Sequence, residues 1–274
     1  MQDTGIRINK YLSEAGVCSR READRRIEAG EVQIDGKTAV MGDKVMEGQT
    51  VLYCGRQVSK EQESILIAVN KPVGIVCTTQ KREKNNIVDF INYPKRIYPV
   101  GRLDKDSQGL ILMTNNGDIV NKMMRSGNMH EKEYIVTIDR EVTPTFVHGM
   151  ANGVPLTELN AVTRQCQVEK LGKHTFRIVL TQGLNRQIRR MCEYFGCRVK
   201  SLKRIRIMNI ELGSLEPGKY RAVTDKELTE LYRLIAGSSN ETVIPEKEKR
   251  KTGGSKDGGR RKGKAVKGAD RISQ

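Results

Sequence analysis

Long apolar runs are missing from this 274-residue chain. No stretch approaches the roughly 18 consecutive apolar residues that cross a bilayer as a helix. The first ten residues, MQDTGIRINK, contain no apolar stretch of the kind that defines a secretory signal. Paired cysteines are also missing. Cys18, Cys54, Cys77, Cys166, Cys192 and Cys197 form no CxxC, and several lie within apolar runs, so free thiols in a reducing cytoplasm are expected. His130, His148 and His174 have no metal-ligand spacing with one another or with the cysteines, so no metal is expected. Neither a Walker loop nor a GxGxxG after a strand occurs, which argues against a nucleotide cofactor.

Positive charge is abundant. Lys and Arg total 49 against 33 acidic residues, a net charge of +16. Such an excess suits a polyanion, either nucleic acid or an anionic membrane surface, and the missing apolar segments weaken the membrane reading. Residues 1–60 are nearly balanced, with 10 basic and 9 acidic residues. Residues 241–274 carry 11 basic and 5 acidic residues among Gly, Ser and Thr, with few apolar side chains. That segment cannot bury enough surface to fold. It is expected to be a disordered basic tail, either a phosphate-binding device or a solubilising extension.

Periodicity divides the remainder into two parts. Ile8, Tyr11, Leu12 and Ala15 repeat at helical spacing and Gly16 ends the run. Ser19 with Glu22 reads as a capping box for a second helix carrying Ala23 and Ile27. Val32 and Ile34 alternate into Asp35-Gly36, a hairpin signal. Cys54 to Ser64 reads as a linker. Beyond it, Ile65–Val69, Leu110–Met113, Tyr134–Ile138 and Phe176–Leu180 read as strands among helical runs. Asn116-Gly117 reads as a turn with Asp118 capping a helix, and Thr224-Asp225-Lys226-Glu227 is a second capping box. These patterns predict domains at 1–60 and 61–240, followed by the tail at 241–274.

Three segments carry candidate chemistry. On the two N-terminal helices, Arg7, Lys10, Arg20, Arg21 and Arg25 form a phosphate-binding candidate. Local pairs such as Glu22–Arg26 give an equally serious reading as solvated helix surface. In GRLDKDSQGL (101–110), a polar loop between apolar strands places Asp104 beside Arg102 and Lys105. Neighbouring cations favour the ionised form of a carboxylate, which suits a nucleophile or base; an ordinary charged turn is the alternative. In residues 184–206, eight basic residues face one acid, Glu193. Arg186, Arg190, Lys200, Lys203 and Arg204 are the phosphate-binding candidates there.

These segments resemble the RsuA-type ribosomal RNA pseudouridine synthases, most closely the bacterial large-subunit branch of F type. The resemblance spans about residues 6–236. It rests on NKPVGIVCTT (70–79), GRLDKDSQGLILMTNNGD (101–118), EKEY (131–134) and QGLNRQIRRMCEYFG (182–196). Residues 6–53, with SRREAD at 19–24, resemble the S4 RNA-binding module. The resemblance implies an α+β fold: an S4-like module preceding a synthase domain with a central mixed, largely antiparallel sheet. It also implies site roles. Asp104 matches the catalytic aspartate, Tyr134 the tyrosine that packs on the target base, and Arg189 the basic partner of the aspartate. Arg102 matches an arginine linked to displacing the flipped nucleotide.

The implied reaction isomerises a uridine of structured RNA to pseudouridine with no cofactor. Large-subunit ribosomal RNA is the favoured partner, a transfer RNA stem-loop is a second, and the protein is expected to act as a monomer. Two other readings compete. A non-catalytic RNA-binding or ribosome-assembly factor accounts for the charge but not for the Asp–Tyr–Arg set. A glycosidase-type hydrolase needs two cooperating carboxylates, and Asp106 is the only near partner for Asp104.

Overall fold

The computed structural model describes residues 5–59, 63–80 and 82–238. The expected tail at 241–274 lies outside the described residues.

Two short helices open the chain, α1 (Ile8–Glu14) and α2 (Arg20–Glu28). Ser19 caps α2 by accepting a hydrogen bond from the Glu22 amide at 3.2 Å. The reciprocal half of the expected capping box does not form. The Glu22 carboxylate turns outward to Arg25 and Arg26, at 2.8 and 2.9 Å. The helices pack on a four-stranded sheet of β1 (Val32–Ile34), β2 (Lys37–Thr38), β3 (Val51–Tyr53) and β4 (Arg56–Val58), ordered β2-β1-β3-β4. Asp35 and Gly36 both have positive φ (49° and 79°), as the tight turn between β1 and β2 requires. The expected linker from Cys54 to Ser64 begins too early, because Arg56–Val58 is strand β4. Its exposed, polar edge gives no alternation to read. Ile8, Leu12, Ala23, Ile27 and Val32 form a separate small core.

The second part is built on a nine-stranded sheet among the described residues. Its main strands are β5 (Leu66–Lys71), β6 (Tyr98–Val100), β7 (Gln108–Thr114), β8 (Lys132–Ile138), β9 (Gln167–Lys170), β10 (Thr175–Leu180), β11 (Val199–Ile207) and β12 (Tyr220–Ala222). They run in the order β9-β10-β8-β11-β7-β5-β12, with β6 on the flank of β7. Every pairing is antiparallel except β11 with β7, which is parallel through Lys203–Gln108 and Arg204–Gly109. The mixed, largely antiparallel sheet is therefore as expected, and its one parallel joint lies at the end of the Asp104 loop.

Strand β5 is buried along its whole length and stops at Pro72, which cannot donate to a ladder. The helices are α3 (Ile87–Ile91), α4 (Gly117–Met124), α5 (Pro144–Ala151), α6 (Gln187–Tyr194) and α7 (Asp225–Ile235). The Thr224–Glu227 box caps α7 in both directions. For α4 the cap is Asn116, whose side chain accepts from the Asp118 and Ile119 amides, rather than Asp118 itself. Asp118 is thereby free to pair with Lys10 of α1 at 2.8 Å. Close by, Arg96 Nη1 donates to the Ser13 carbonyl at 3.1 Å, and its guanidinium lies 5.6 Å from the Tyr98 ring centre. The N-terminal module is thus fastened to the sheet domain by polar contacts.

Candidate active site

The loop between β6 and β7 carries Arg102 and Asp104, and it is tightly held. Lys71, fully buried at the end of β5, donates to the carbonyls of Pro72 at 2.8 Å and Ser107 at 2.7 Å. Gly74 donates its amide to the Lys105 carbonyl at 2.8 Å, and Leu103 donates to Cys77 Sγ at 3.4 Å. Burial lowers the Lys71 pKa below the usual lysine range and pushes the Cys77 thiol up. A carboxylate on a loop anchored at this many backbone points has a defined position, which an ordinary turn would not give it.

Helix α6 approaches from the other side. Arg189, in its first turn, is only 9% exposed. Its Nε lies 3.9 Å from Asp104 Oδ2, while Nη2 donates to the Asp106 carbonyl at 3.0 Å and to Ser107 Oγ at 3.3 Å. The guanidinium therefore straddles the loop. It does not grip the carboxylate with a two-pronged fork, which is the geometry its planar shape suggests. Arg186, in the left-handed conformation just before the helix, brings Nη1 to 3.8 Å from the same oxygen.

The floor comes from β8 and β11. Tyr134 sits between two apolar clusters and opens onto the cavity. Lys132, two residues earlier, lines the same cavity and is 9% exposed. It donates to the His130 carbonyl at 3.1 Å. Burial, reinforced by the charge of Arg204, pulls the Lys132 pKa down to about 8. Arg204 pairs across the ladder with Tyr134 and is 3% exposed. Its Nε donates to the Leu110 carbonyl at 2.6 Å, and its Nη2 is buried with no hydrogen-bond partner.

The resulting cavity holds about 290 Å³. Leu180, Leu184, Ile188 and Leu202 supply apolar walls. Among the described residues its lining has five cations (Arg102, Lys132, Arg186, Arg189 and Arg204) and a single carboxylate, Asp104. The structure thus brings together Arg102, Asp104, Tyr134, Arg186, Arg189 and Arg204. The other sequence candidates lie elsewhere. Lys105 and Lys200 are exposed, and Lys203 is half-buried outside the cavity. Arg190 is ion-paired with Glu158. Arg7, Arg20, Arg21 and Arg25 are exposed on the N-terminal module, while Lys10 is engaged with Asp118 and Glu14. Sequence reasoning assigned no role to Lys71 or Lys132. Strand alternation from Tyr134 could have found Lys132, since residues two apart share a face.

Among the described residues no group of His, Cys, Asp and Glu could hold a metal ion, and no helix is long and apolar enough to cross a membrane.

A cation-lined cavity with one anchored carboxylate, on a mixed sheet preceded by a small helical module, defines an enzyme that handles a polyanion. Residues 65–194 match the RNA pseudouridylate synthase family, and residues 6–51 match the S4 domain. The dual-specificity RNA pseudouridine synthases RluF of Salmonella typhi and Escherichia coli (strain K12) are 55% and 54% identical over 258 residues. That stretch covers 93% of this chain and 89% and 88% of theirs. A crystal structure of a pseudouridylate synthase superposes with a TM-score of 0.61 at 27% identity, covering 82% of this chain and 99% of that one. The chain belongs to the RNA pseudouridine synthases, enzymes that isomerise uridine to pseudouridine within RNA.

Proposed function

We propose that Asp104 carries the reaction, with Arg189, Tyr134 and Arg102 in supporting roles. The observation behind this reading is the convergence of two arginines on Oδ2 of Asp104, the only carboxylate lining the cavity among the described residues. Isomerisation breaks the C1′–N1 bond and rejoins the base to the same ribose through C5. Asp104 either attacks the ribose or removes a ribose proton to give a glycal; on both routes it must be ionised at the sugar. Arg189 supplies positive charge and fixes the loop. Tyr134 offers a ring face to the flipped base, a contact worth about 1–3 kcal/mol. Arg102, exposed at the rim, displaces the extruded nucleotide from its stack. Flipping costs a few kcal/mol, and phosphate contacts offset it.

Those contacts fall to Arg7, Lys10, Arg20, Arg21 and Arg25 of the N-terminal domain and to Lys105, Arg186, Arg190, Lys200 and Lys203 of the catalytic domain. Domain limits at 1–60, 61–240 and 241–274 follow from this reading. The substrate is a uridine of large-subunit ribosomal RNA in the cytoplasm, with a transfer RNA stem-loop of similar shape as a second target, and the enzyme acts as a monomer. The dual-specificity name of the relatives supports two substrates.

The test compares wild type with Asp104→Asn on ribosomal RNA from cells lacking the enzyme, mapping pseudouridine by carbodiimide modification and primer extension. A new pseudouridine with wild type alone, at equal RNA binding, is the expected outcome. Modification by both proteins would remove Asp104 from the mechanism.

A further inference from the structure

Arg204 poses a question that the roles above leave unanswered. The residue is only 3% exposed, yet Nη2 is buried with no hydrogen-bond partner among the described residues. A buried donor left unmatched is costly and points to an acceptor that arrives with a ligand. Lys132 lines the same cavity, and the charge of Arg204 opposes that of its ammonium. Among the described residues no carboxylate is ion-paired with either of them. Asp104 is engaged by Arg186 and Arg189, and Glu133 is held by Arg177 and Arg206 at 3.0 and 2.7 Å.

The depth of the pair selects its ligand. A sugar–phosphate backbone meets the rim, where Arg102 and Arg186 are exposed or nearly so. Arg204 and Lys132, only 3% and 9% exposed, line the same cavity with Leu180, Leu202 and Tyr134. Only the extruded base reaches that far.

We propose that Arg204 and Lys132 are the receptor for the carbonyl oxygens of the target uracil, and that they hold the base's negative charge while it is detached from the ribose. This rests on the assignment of Asp104 above. When C1′–N1 breaks, the bonding electron pair leaves with the base and spreads over N1, O2 and O4. The base turns, C5 bonds to C1′ as the bond from Asp104 to that carbon breaks (or, on the glycal route, as Asp104 returns the proton it took from the ribose), the proton on C5 is lost to solvent, and N1 takes one up, so atoms and charge balance. The anionic character peaks between the two bond changes. Donors fixed in a low-dielectric floor therefore stabilise the barrier more than the bound uridine. The same pair reads base identity. Cytosine would point an amino donor where uracil offers O4, setting donor against donor.

The experiment measures single-turnover rates at saturating RNA for wild type, Lys132→Met, Arg204→Lys and Asp104→Asn, with RNA Kd and Tm for each. Lys132→Met is expected to slow the chemical step by about 10²-fold or more, with RNA Kd within about threefold. Its Tm should not fall, because one of two buried like charges is gone. Arg204→Lys should slow the same step. Wild type should also be slowed when the target O2 or O4 is replaced by sulfur, a weaker acceptor, and Lys132→Met should be slowed less by that change. Wild-type turnover by Lys132→Met, a loss confined to RNA affinity, or equal wild-type rates on oxygen and sulfur substrates would each overturn the proposal. If Asp104→Asn is inactive while Lys132→Met is fully active, this inference alone fails. If Asp104→Asn retains full activity, the underlying assignment fails first.

Discussion

Arg189 reaches Asp104 with Nε at 3.9 Å while its Nη2 ties down the backbone two residues further on, at the Asp106 carbonyl. One side chain thus sets both the charge beside the carboxylate and the shape of the loop that carries it. Lysine offers a point charge and cannot span both sites. Arg189→Lys is expected to lower the single-turnover rate at saturating RNA by about 10²-fold, the scale of a misplaced reacting group. Turnover equal to wild type would show that the loop keeps its shape unaided.

The contacts that fasten the N-terminal module to the sheet domain are unequal. The Lys10–Asp118 pair is partly exposed, at 31% and 49% of side-chain surface, and such pairs contribute about 0–1 kcal/mol. Arg96 is half-buried and makes a charge-assisted hydrogen bond to Ser13, of a kind worth about 1.5–3 kcal/mol. Calorimetry should therefore resolve separate melting of the two parts in Arg96→Met but not in Lys10→Met. A single transition for both variants would place the coupling elsewhere.

Lys132 gives stability a pH dependence with a definite sign. Its folded value is about 8, against an ordinary 10.5. Between those limits the unfolded chain holds a proton that the folded chain has released, so stability rises with pH. The titratable and charged groups that line the cavity with Lys132 are Asp104, Tyr134, Arg102, Arg186, Arg189 and Arg204, with His130 beside it. Comparing urea unfolding of wild type and Lys132→Met from pH 7.5 to 10.5 isolates its share. Wild type should gain relative to the variant over that range, while its single-turnover rate falls above about pH 8 as the ammonium loses its charge. Parallel stability curves would mean that Lys132 titrates normally.

What the sequence shows depends on how local the physics is. The capping box of α7, the Asp35-Gly36 turn and the apolar strands β5, β7 and β10 are set by neighbours within a few residues, and the structure matches those readings. Strand β4 escaped notice because an exposed edge places no demand on alternation. Asn116 supplants Asp118 as a cap because two side chains compete for the same amides and only geometry decides between them. The cavity draws its lining from separate segments, Gly101–Asp104 with Ser107, Met124, Lys132 and Tyr134, Leu180 with Gln182–Arg189, and Leu202 with Arg204, which no spacing rule links. Only the family resemblance pointed to Asp104, Tyr134 and Arg189 as a set. Arg204, grouped by charge with surface phosphate binders, faces inward because its place on β11 lies opposite Tyr134.

Gly109 marks where the one parallel joint of the sheet meets the Asp104 loop. Its φ is +103°, and a Cβ there would come within 2.7 Å of the Arg204 amide nitrogen and closer still to the Arg204 carbonyl. Backbone cannot yield as a flexible side chain does, so alanine would wedge apart the two strands that carry the Asp104 loop and the buried arginine. Position 109 is therefore a checkpoint for evolution and engineering alike. A library randomised at that codon and selected for pseudouridine formation should return glycine.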